Sequence, residues 1–503
     1  MTSSTEKYSA GDDTARPIGA ENASSDADFD DIETGAVNEK KLLAKLDLRL
    51  LPGVAVLYLL SFLDRSNVAN AKLEGLTEDV HMTGNQYLTS LTLYFIGYVL
   101  FEIPCNVILK RTTPKLWLPT LTLVWGIVAT LMGCTQNLSG FFAVRFFLGV
   151  AESGLFPGVV YYLSNWYKRT ERVYRVALFF SAASLAGAFG GILAWGIGHM
   201  AGVAGQKGWR WIFWLEGILT VVVSLVAYFF ICNYPDTASF LTPKERKVVV
   251  SRLTADSDAT ADEPFNWAAV VSALRDPKCW LYGAVFHSLS LPLYTLSLFL
   301  PSIIKDLGYT AARAQLLTVP PYALATLLTI AVAVVSERLH HRSSFMIAGA
   351  LIAVVGYAIL IGNAPHVSDR PGVSYAGTFL AAAGIYPATA LGLAWPAMNV
   401  AGQTKRATAC AMQISIGNLG AVIGTQLYRP ATAPGYVLGH SFALGYMAAN
   451  AIIVGTLWLV LTRENKRKES ALAAAAAAAA GSDAGLDGGQ MKGDEDLRWK
   501  FNV

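Results

Sequence analysis

LLPGVAVLYLLSFLDRSNVANAK, residues 50–72, decides the fold. It is apolar enough and long enough to cross about 30 Å of hydrocarbon as a helix, yet Asp64 and Arg65 stand side by side within it. A second stretch, LSGFFAVRFFLGVAESGLFPGVVYY at 138–162, repeats the pattern with Arg145 and Glu152. A charged group at the middle of a membrane helix costs about 2.5–3.5 kcal/mol on insertion scales. Such groups persist where they face a bundle interior or a water-filled path, usually paired. The two stretches together point to a path for a charged solute.

Working outward from them, the remaining sequence is of the same kind. The 503 residues are 53% hydrophobic and 15% charged, too apolar for a soluble chain of this length. The apolar residues fall into twelve blocks, near 50–72, 86–109, 117–134, 138–162, 174–197, 211–232, 279–304, 316–335, 343–362, 374–398, 407–428 and 441–462. The tenth is rich in Gly, Ala and Pro. The expected fold class is an all-α membrane protein of about twelve transmembrane helices in two six-helix halves. Net charge, +3, says little about partners. Its distribution says more. Lys110, Arg111 and Lys115 follow block two, and Lys168, Arg169, Arg172 and Arg175 follow block four. Arg338 and Arg342 follow block eight, Lys405 and Arg406 precede block eleven, and Arg463, Lys466, Arg467 and Lys468 follow block twelve. If the blocks alternate across the bilayer, these loops share one side, and the positive-inside rule places both termini in the cytosol.

The organisation predicted is a disordered acidic N-tail over 1–45, a first half over 46–232, a cytosolic linker over 233–277, a second half over 278–465 and a cytosolic tail over 466–503. The N-tail is too polar to bury a core, and the first helix is expected to act as its own membrane signal. The C-tail, with its Ala run at 473–480, reads as flexible or partly helical. In the linker, Thr242-Pro243-Lys244-Glu245 is a capping box with Pro at the first helical position, predicting a short amphipathic helix. Gly149, Gly154, Gly158, Gly187, Gly190 and Gly191 suit close helix packing or flexing. The five cysteines follow neither a metal spacing nor a disulfide framework.

The four buried charges form the candidate site. Arg145 and Glu152 are seven residues apart, nearly two turns, so they share a helix face. With helix one running outward and helix four inward, all four groups could line one cavity of the first half. An Arg is a permanent cation whose fork matches a carboxylate, which makes Arg65 and Arg145 candidate ligands of a substrate anion. Asp64 and Glu152 are carboxylates able to take up and release a proton as their surroundings change. The plainer reading is a set of helix-locking ion pairs. Glu102, before Pro104 and the Lys110-Arg111 pair, is either a gate residue or a snorkelling end residue. Glu216 reads as structural and His287 as simply hydrogen-bonded. In the second half the candidates are uncharged: Trp395, Asn399, Gln413, Asn418 and Gln426, which could orient a substrate or tie helices together. Trp395 could stack on a ring or anchor at the interface. The chain shows no Gly-rich phosphate loop with its Lys, no HExxH and no Cys/His cluster at metal spacing, so no cofactor, metal or enzymatic role is expected.

Several segments resemble one family. Leu63-Asp64-Arg65-Ser66-Asn67-Val68-Ala69-Asn70-Ala71 is similar to the first-helix signature of the anion:cation symporters of the major facilitator superfamily. Phe101-Glu102-Ile103-Pro104-Cys105-Asn106 with Leu109-Lys110-Arg111 resembles their second helix. Arg145-Phe146-Phe147-Leu148-Gly149 with Glu152-Ser153-Gly154-Leu155-Phe156-Pro157-Gly158 resembles their fourth. Gly402-Gln403-Thr404-Lys405-Arg406 and Gly417-Asn418-Leu419-Gly420 resemble segments around helix eleven. The resemblance spans roughly 45–465 and is nearest to fungal permeases of the allantoate and nicotinate type. It implies the major facilitator fold and proton-coupled uptake of small organic anions. It implies that Asp64, Arg65 and Glu152 take part in proton and substrate coupling, and Arg145 matches the family's Arg two turns before that Glu. Together with the chemistry of the residues this gives the candidate set: proton coupling at Asp64 and Glu152, substrate contacts at Arg65, Arg145, Asn67, Trp395, Asn399, Gln413 and Asn418, and gating at Glu102, Lys110, Arg111, Glu337 and Arg338. The chain departs from the pattern at Met398, where many relatives carry a first Asn before Asn399. It departs again at Thr113-Pro114-Lys115, where Gly-Pro-Arg is usual, and at Glu337, where Asp is usual.

The function expected is therefore proton-coupled import of a small carboxylate such as nicotinate or allantoate by alternating access, in the plasma membrane, by a monomer whose partners are the anion, protons and the bilayer, with no nucleic acid. Export of an acidic metabolite on the same scaffold is the alternative, followed by a non-transporting nutrient sensor.

Overall fold

The computed structural model of the chain describes residues 38–256, 266–339, 341–479, 494–497 and 499–502. Twelve helices in it are long and apolar enough to cross a membrane. They are α1 (Glu39–Leu73), α2 (Gly84–Leu109), α3 (Pro114–Met132), α4 (Leu138–Ser164), α5 (Tyr174–Gly198), α6 (Gly208–Phe230), α7 (Pro277–Asp306), α8 (Ala311–Leu339), α9 (Arg342–Gly362), α10 (Pro371–Asn399), α11 (Gln403–Gly424) and α12 (Val437–Ala475). Each expected block overlaps one of them, the Gly- and Pro-rich tenth included.

The starts follow from capping chemistry. Asn38 accepts from the Lys41 amide at 3.2 Å. Thr83 and Gln86 form a reciprocal capping box at the start of α2. Asp276 caps α7, with Pro277 in the first helical position. Helix α1 begins seven residues before the boundary expected at residue 46, because its first turns are amphipathic: Leu42 and Leu46 are buried. The polar side of those turns pairs with the linker, through Lys45 and Glu245 at 2.7 Å and Glu39 and Arg252 at 2.6 Å. The linker helix Pro243–Asp256 starts as its sequence predicts, with Thr242 and Glu245 capping each other. Residues 1–37 of the expected N-tail lie outside the described residues.

The first six helices and the last six form two halves, which meet along α1–α7, α2–α11, α5–α8 and α5–α10. Between apolar helices in lipid there is little hydrophobic gain, so close packing and hydrogen bonds must hold the contacts. Gly149 shows how close: a Cβ there would lie 1.9 Å from the Tyr94 carbonyl oxygen, so α4 presses its backbone onto α2. Gly191 does the same between halves, where a Cβ would meet Thr318 Oγ1 at 2.4 Å. Helix α4 is interrupted at Ser153 and Gly154, just beyond Glu152.

The end of the bundle that carries the linker is called here the linker face, and the other the far face. At the far face the halves are tied by Gln315 to Glu74 at 3.0 Å and by Gln426 to Thr92 at 2.6 Å. At the linker face α4 and α5 pack on α11 and α10. The helix that begins as α12 runs on to Ala479. Beyond that helix, the described residues 494–497 and 499–502 of the expected C-tail do not stand free. They lie against the linker-face ends of α10, α11 and α12.

Candidate functional site

Ser61 and Arg65 are one turn apart on α1 and share a face. That face looks across the centre of the bundle at Glu152 of α4. The Arg65 guanidinium donates to Glu152 at 3.0 Å. The same carboxylate oxygen, Oε2, accepts from Ser61 Oγ at 2.9 Å and from the Tyr94 hydroxyl of α2 at 2.8 Å. Arg65 also donates to the Tyr294 hydroxyl of α7 at 2.9 Å. One side chain thus joins the two halves at their junction. The guanidinium sits among four rings, with the centroids of Tyr94, Tyr98, Tyr294 and Phe62 5.2, 5.5, 5.4 and 5.6 Å away. Rings stabilise a desolvated cation through their quadrupoles. Arg65 is 4% exposed and Glu152 1%. Neither is saturated: Arg65 Nε and Glu152 Oε1 have no hydrogen-bond partner. The carboxylate therefore has an open oxygen and the guanidinium an open donor.

A narrow central cavity opens from this pair, lined by Arg65, Tyr98 and Tyr294, by the rings of Phe156, Phe180 and Phe286, and by Asn418 from α11. Its free space is of the order of one water molecule. A second narrow space lies toward the far face, between Phe62, Ser66, Asn70 and Tyr322. The stacked pair Phe62 and Tyr294, centroids 6.3 Å apart, separates the two.

The other expected residues are distributed differently. Adjacent residues on a helix point about 100° apart, and Asp64 accordingly turns away from Arg65. It accepts from Trp125 Nε1 of α3 at 3.1 Å and Thr220 Oγ1 of α6 at 2.9 Å. One turn on, Asn67 donates to Glu216 of α6 at 2.6 Å, so Asn67 does not reach the cavity. Arg145 is fully buried two turns from Glu152, over the Tyr94 ring at 5.1 Å. Its Nε donates to the Ser90 carbonyl over a long 3.5 Å, and both terminal nitrogens lack hydrogen-bond partners among the described residues. The structure thus brings Arg65 and Glu152 together, sets Arg145 behind Tyr94, and places Asp64 in a separate pocket.

Of the polar candidates expected in the second half, Asn418 lines the cavity. Gln413 donates to the Gly392 carbonyl at 2.8 Å and ties α11 to α10. Gln426 belongs to the far-face tie already described. Trp395 is fully buried, edge-on to Tyr282 with centroids 5.7 Å apart, which suits neither an interfacial anchor nor the cavity wall. Trp395 and Asn399 both donate to the Asn502 carbonyl. Of the expected gate residues, Glu102 is buried and accepts from Ser415 of α11 at 3.3 Å, a link between halves without a cation. Glu337 pairs with Arg342 at 3.1 Å across the α8–α9 turn, while Arg338 and Arg111 are exposed. The Lys110 side chain lies outside the described residues. His287 is hydrogen-bonded, to the Ile416 carbonyl at 2.9 Å.

Sequence reasoning passed over Tyr94, Tyr98, Tyr294, Ser61 and the three phenylalanines. A signal existed for part of them: Tyr87, Tyr94 and Tyr98 recur at helical spacing on one face of α2.

The profile of the Major Facilitator Superfamily matches residues 54–425. An MFS-type transporter of Penicillium expansum, cnsO, is 38% identical over 450 residues, covering 88% of this chain and 86% of the relative. The high-affinity nicotinic acid transporter of Saccharomyces cerevisiae is 32% identical over 435 residues, covering 86% of this chain and 80% of the relative. The crystal structure of a bacterial homologue of the human lysosomal transporter Spinster, inward-facing and unoccupied, superposes with a TM-score of 0.60 at 14% identity, over 81% of this chain and 95% of that one.

Proposed function

Because the chain belongs to the Major Facilitator Superfamily, we propose that it is a proton-coupled importer of a small monocarboxylate, with an aromatic acid such as nicotinate as the substrate class. The observation that carries this reading is the Arg65–Glu152 pair in its aromatic cage, bonded across the halves to Tyr294. With Glu152 ionised, the two charges neutralise each other and the site has no need of an anion. A proton on Glu152 removes the charge that opposes Arg65. The guanidinium then takes the substrate carboxylate as its counter-ion through the fork that suits it. Substrate and proton are thereby bound together or not at all. The rings of Phe156, Phe180 and Phe286 supply flat apolar walls for a planar ring, and Asn418 on the opposite half supplies a polar edge. The name of the nicotinic acid transporter among the relatives supports the same class. Each chain holds a whole cavity, so a monomer suffices.

Energetics favour a second proton. Moving a monoanion into an inside-negative compartment costs about 2.3 kcal/mol per 100 mV. One proton cancels that charge and leaves the pH gradient alone as the driver, about 1.4 kcal/mol per unit. A second proton on Asp64 makes the voltage a driver too. The linker face, which carries Arg111, Lys115, Arg172, Lys405 and Lys466, is assigned to the cytosol by its basic residues, and the plasma membrane is the assigned location.

The test is uptake of labelled nicotinate, allantoate, pantothenate and a sugar acid in permease-deficient yeast at acid pH. Uptake of one of them that collapses with a protonophore, with Arg65→Ala and with Glu152→Gln supports the reading. No uptake of any carboxylate by protein present at the cell surface refutes import and turns attention to export.

A further inference from the structure

Residues Asp494–Asn502 are held against the linker face by side chains that read their backbone. Asn399, the last residue of α10, donates its amide to the Asn502 carbonyl at 2.9 Å and accepts from the Asn502 amide at 2.7 Å. Trp395 donates to that same carbonyl at 2.9 Å. Asn465, on the extension of α12, treats Phe501 identically, donating at 2.9 Å and accepting at 2.8 Å. Two asparagines thus each grip one residue at both its backbone donor and its backbone acceptor. Lys468 donates to the carbonyls of Asp494, Asp496 and Trp499, and its ammonium lies 4.5 Å from the Phe501 ring centroid. Lys405, in the first turn of α11, bonds both carboxylate oxygens of Asp494 at 2.8 Å and Asp276 at the start of α7 at 3.1 Å. Trp499, Phe501 and Asp494 are buried. Paired backbone contacts with buried aromatic anchors are how a peptide is recognised by a built site.

The position of that site gives it a consequence. The helices it engages, α10 and α11, pack against α5 and α4 across the seam between the two halves. Cys410, five residues beyond Lys405 on α11, is partly buried. Helix α10 contains Pro387 and Pro396, where a helix can bend because a backbone bond is missing. The segment bonds Trp395 and Asn399, on both sides of Pro396, to Asn465 of α12, and ties the start of α11 to that of α7 through Asp494 and Lys405.

We propose that the linker-face ends of α7, α10, α11 and α12 form a peptide-binding site whose ligand is the chain's own segment Asp494–Asn502, and that its docking holds the linker-face gate shut. The inference goes beyond the substrate reading and does not depend on it, since gate closure is independent of which solute crosses.

The test uses the full chain in detergent micelles, with Cys105, Cys134, Cys232 and Cys279 replaced so that Cys410 is the sole thiol. Release of the segment is followed by limited trypsin cleavage at Lys500, and gate opening by the rate of N-ethylmaleimide labelling at Cys410. In Asn465→Ala and Asp494→Ala, cleavage is expected to become faster and labelling to rise at least about fivefold. A chain ending at residue 480 is expected to label equally fast, and a synthetic peptide of residues 490–503 to slow it again. Faster cleavage with unchanged labelling in the two variants overturns the gating role. Unchanged cleavage in both, or a truncated chain that the peptide fails to protect, overturns the peptide site.

Discussion

Replacing Glu152 by Gln separates the carboxylate's charge from its shape. The side chain keeps an oxygen able to accept from Tyr94 and Ser61, which now lie 2.8 and 2.9 Å from Oε2. It loses only the charge that holds Arg65 at 3.0 Å. The substituted chain therefore imitates the protonated state at every pH. In the native chain, uptake of one proton with each anion ties substrate binding to pH by about 1.4 kcal/mol per unit. Apparent affinity for a monocarboxylate should fall about tenfold per pH unit for the native chain, with one proton taken up per anion. For Glu152→Gln the slope should be near zero, and the affinity at high pH should exceed the native value by the same factor per unit. Concentrative uptake should disappear, while exchange of labelled for unlabelled substrate should persist, because exchange needs no net proton movement. The assay is binding by isothermal calorimetry from pH 5 to 8, with counterflow in proteoliposomes. A native-like slope in Glu152→Gln, or concentrative uptake by it, would show that the coupling proton resides elsewhere.

Other consequences follow from the same contacts. Arg65→Lys keeps the charge but cannot serve Glu152 and Tyr294 at once. Losing one of the two charge-assisted bonds, at about 1.5 kcal/mol, predicts a roughly tenfold drop in uptake, measured at fixed surface expression. Asp64→Asn preserves a polar partner for Trp125 and Thr220 but removes a proton site. Uptake should continue with its dependence on membrane potential abolished, as read by clamping the potential with potassium and valinomycin. Gly149→Val drives a side chain into the Tyr94 carbonyl, 1.9 Å from the first added atom. It should destabilise the α2–α4 contact by 3 kcal/mol or more at this severity of overpacking, about the upper end of what is usual, visible as a lowered melting temperature in detergent. At the far face, burial pushes the Asp79 carboxyl up, but bonds from Lys207 and Trp209 outweigh it and hold it below its ordinary value. A depressed carboxylate adds stability above about pH 4 and loses it as the pH falls through its folded value. Asp79→Asn should thus cost about 2 °C in melting temperature at pH 7, and progressively less as the pH falls below about 4.

The helices were legible because a membrane helix declares itself locally, by length and apolarity, whatever it later packs against. The Arg65–Glu152 pair was legible for a related reason: charges in hydrocarbon must find each other. Placing all four charges in one cavity failed at Asp64, since neighbours on a helix diverge by about 100° and a shared motif is no guarantee of a shared pocket. Trp395 and Asn399 were legible as special residues but not as partners of Asn502, more than 100 positions away. A segment that docks as extended chain has no periodicity to betray it, and its contacts are all made by the receiving helices. The linker helix, by contrast, carried its own start signal in Thr242 and Glu245 and begins where that signal stands.

Helix α1 is the element that connects the two carboxylate sites. Ser61 and Arg65 turn one side of it to Glu152 and the cavity, while Asp64 and Asn67 turn the other to Thr220 and Glu216 of α6. On α6, Glu216 and Thr220 are also one turn apart, so the two bonds form successive rungs between the same pair of helices. Glu216 Oε1 and Asn67 Oδ1 are buried without a donor, and two acceptors in apolar surroundings are expensive to leave so. A proton on Glu216 would supply the missing donor, which gives this side of α1 an affinity for protons independent of substrate. A rotation of α1 that separates Arg65 from Glu152 also shears the rungs on its opposite side, because both sets of groups ride on one rigid helix. Under the proton symport proposed above, proton occupancy behind α1 and anion occupancy in front of it would be linked through that single movement, without contact between the two sites.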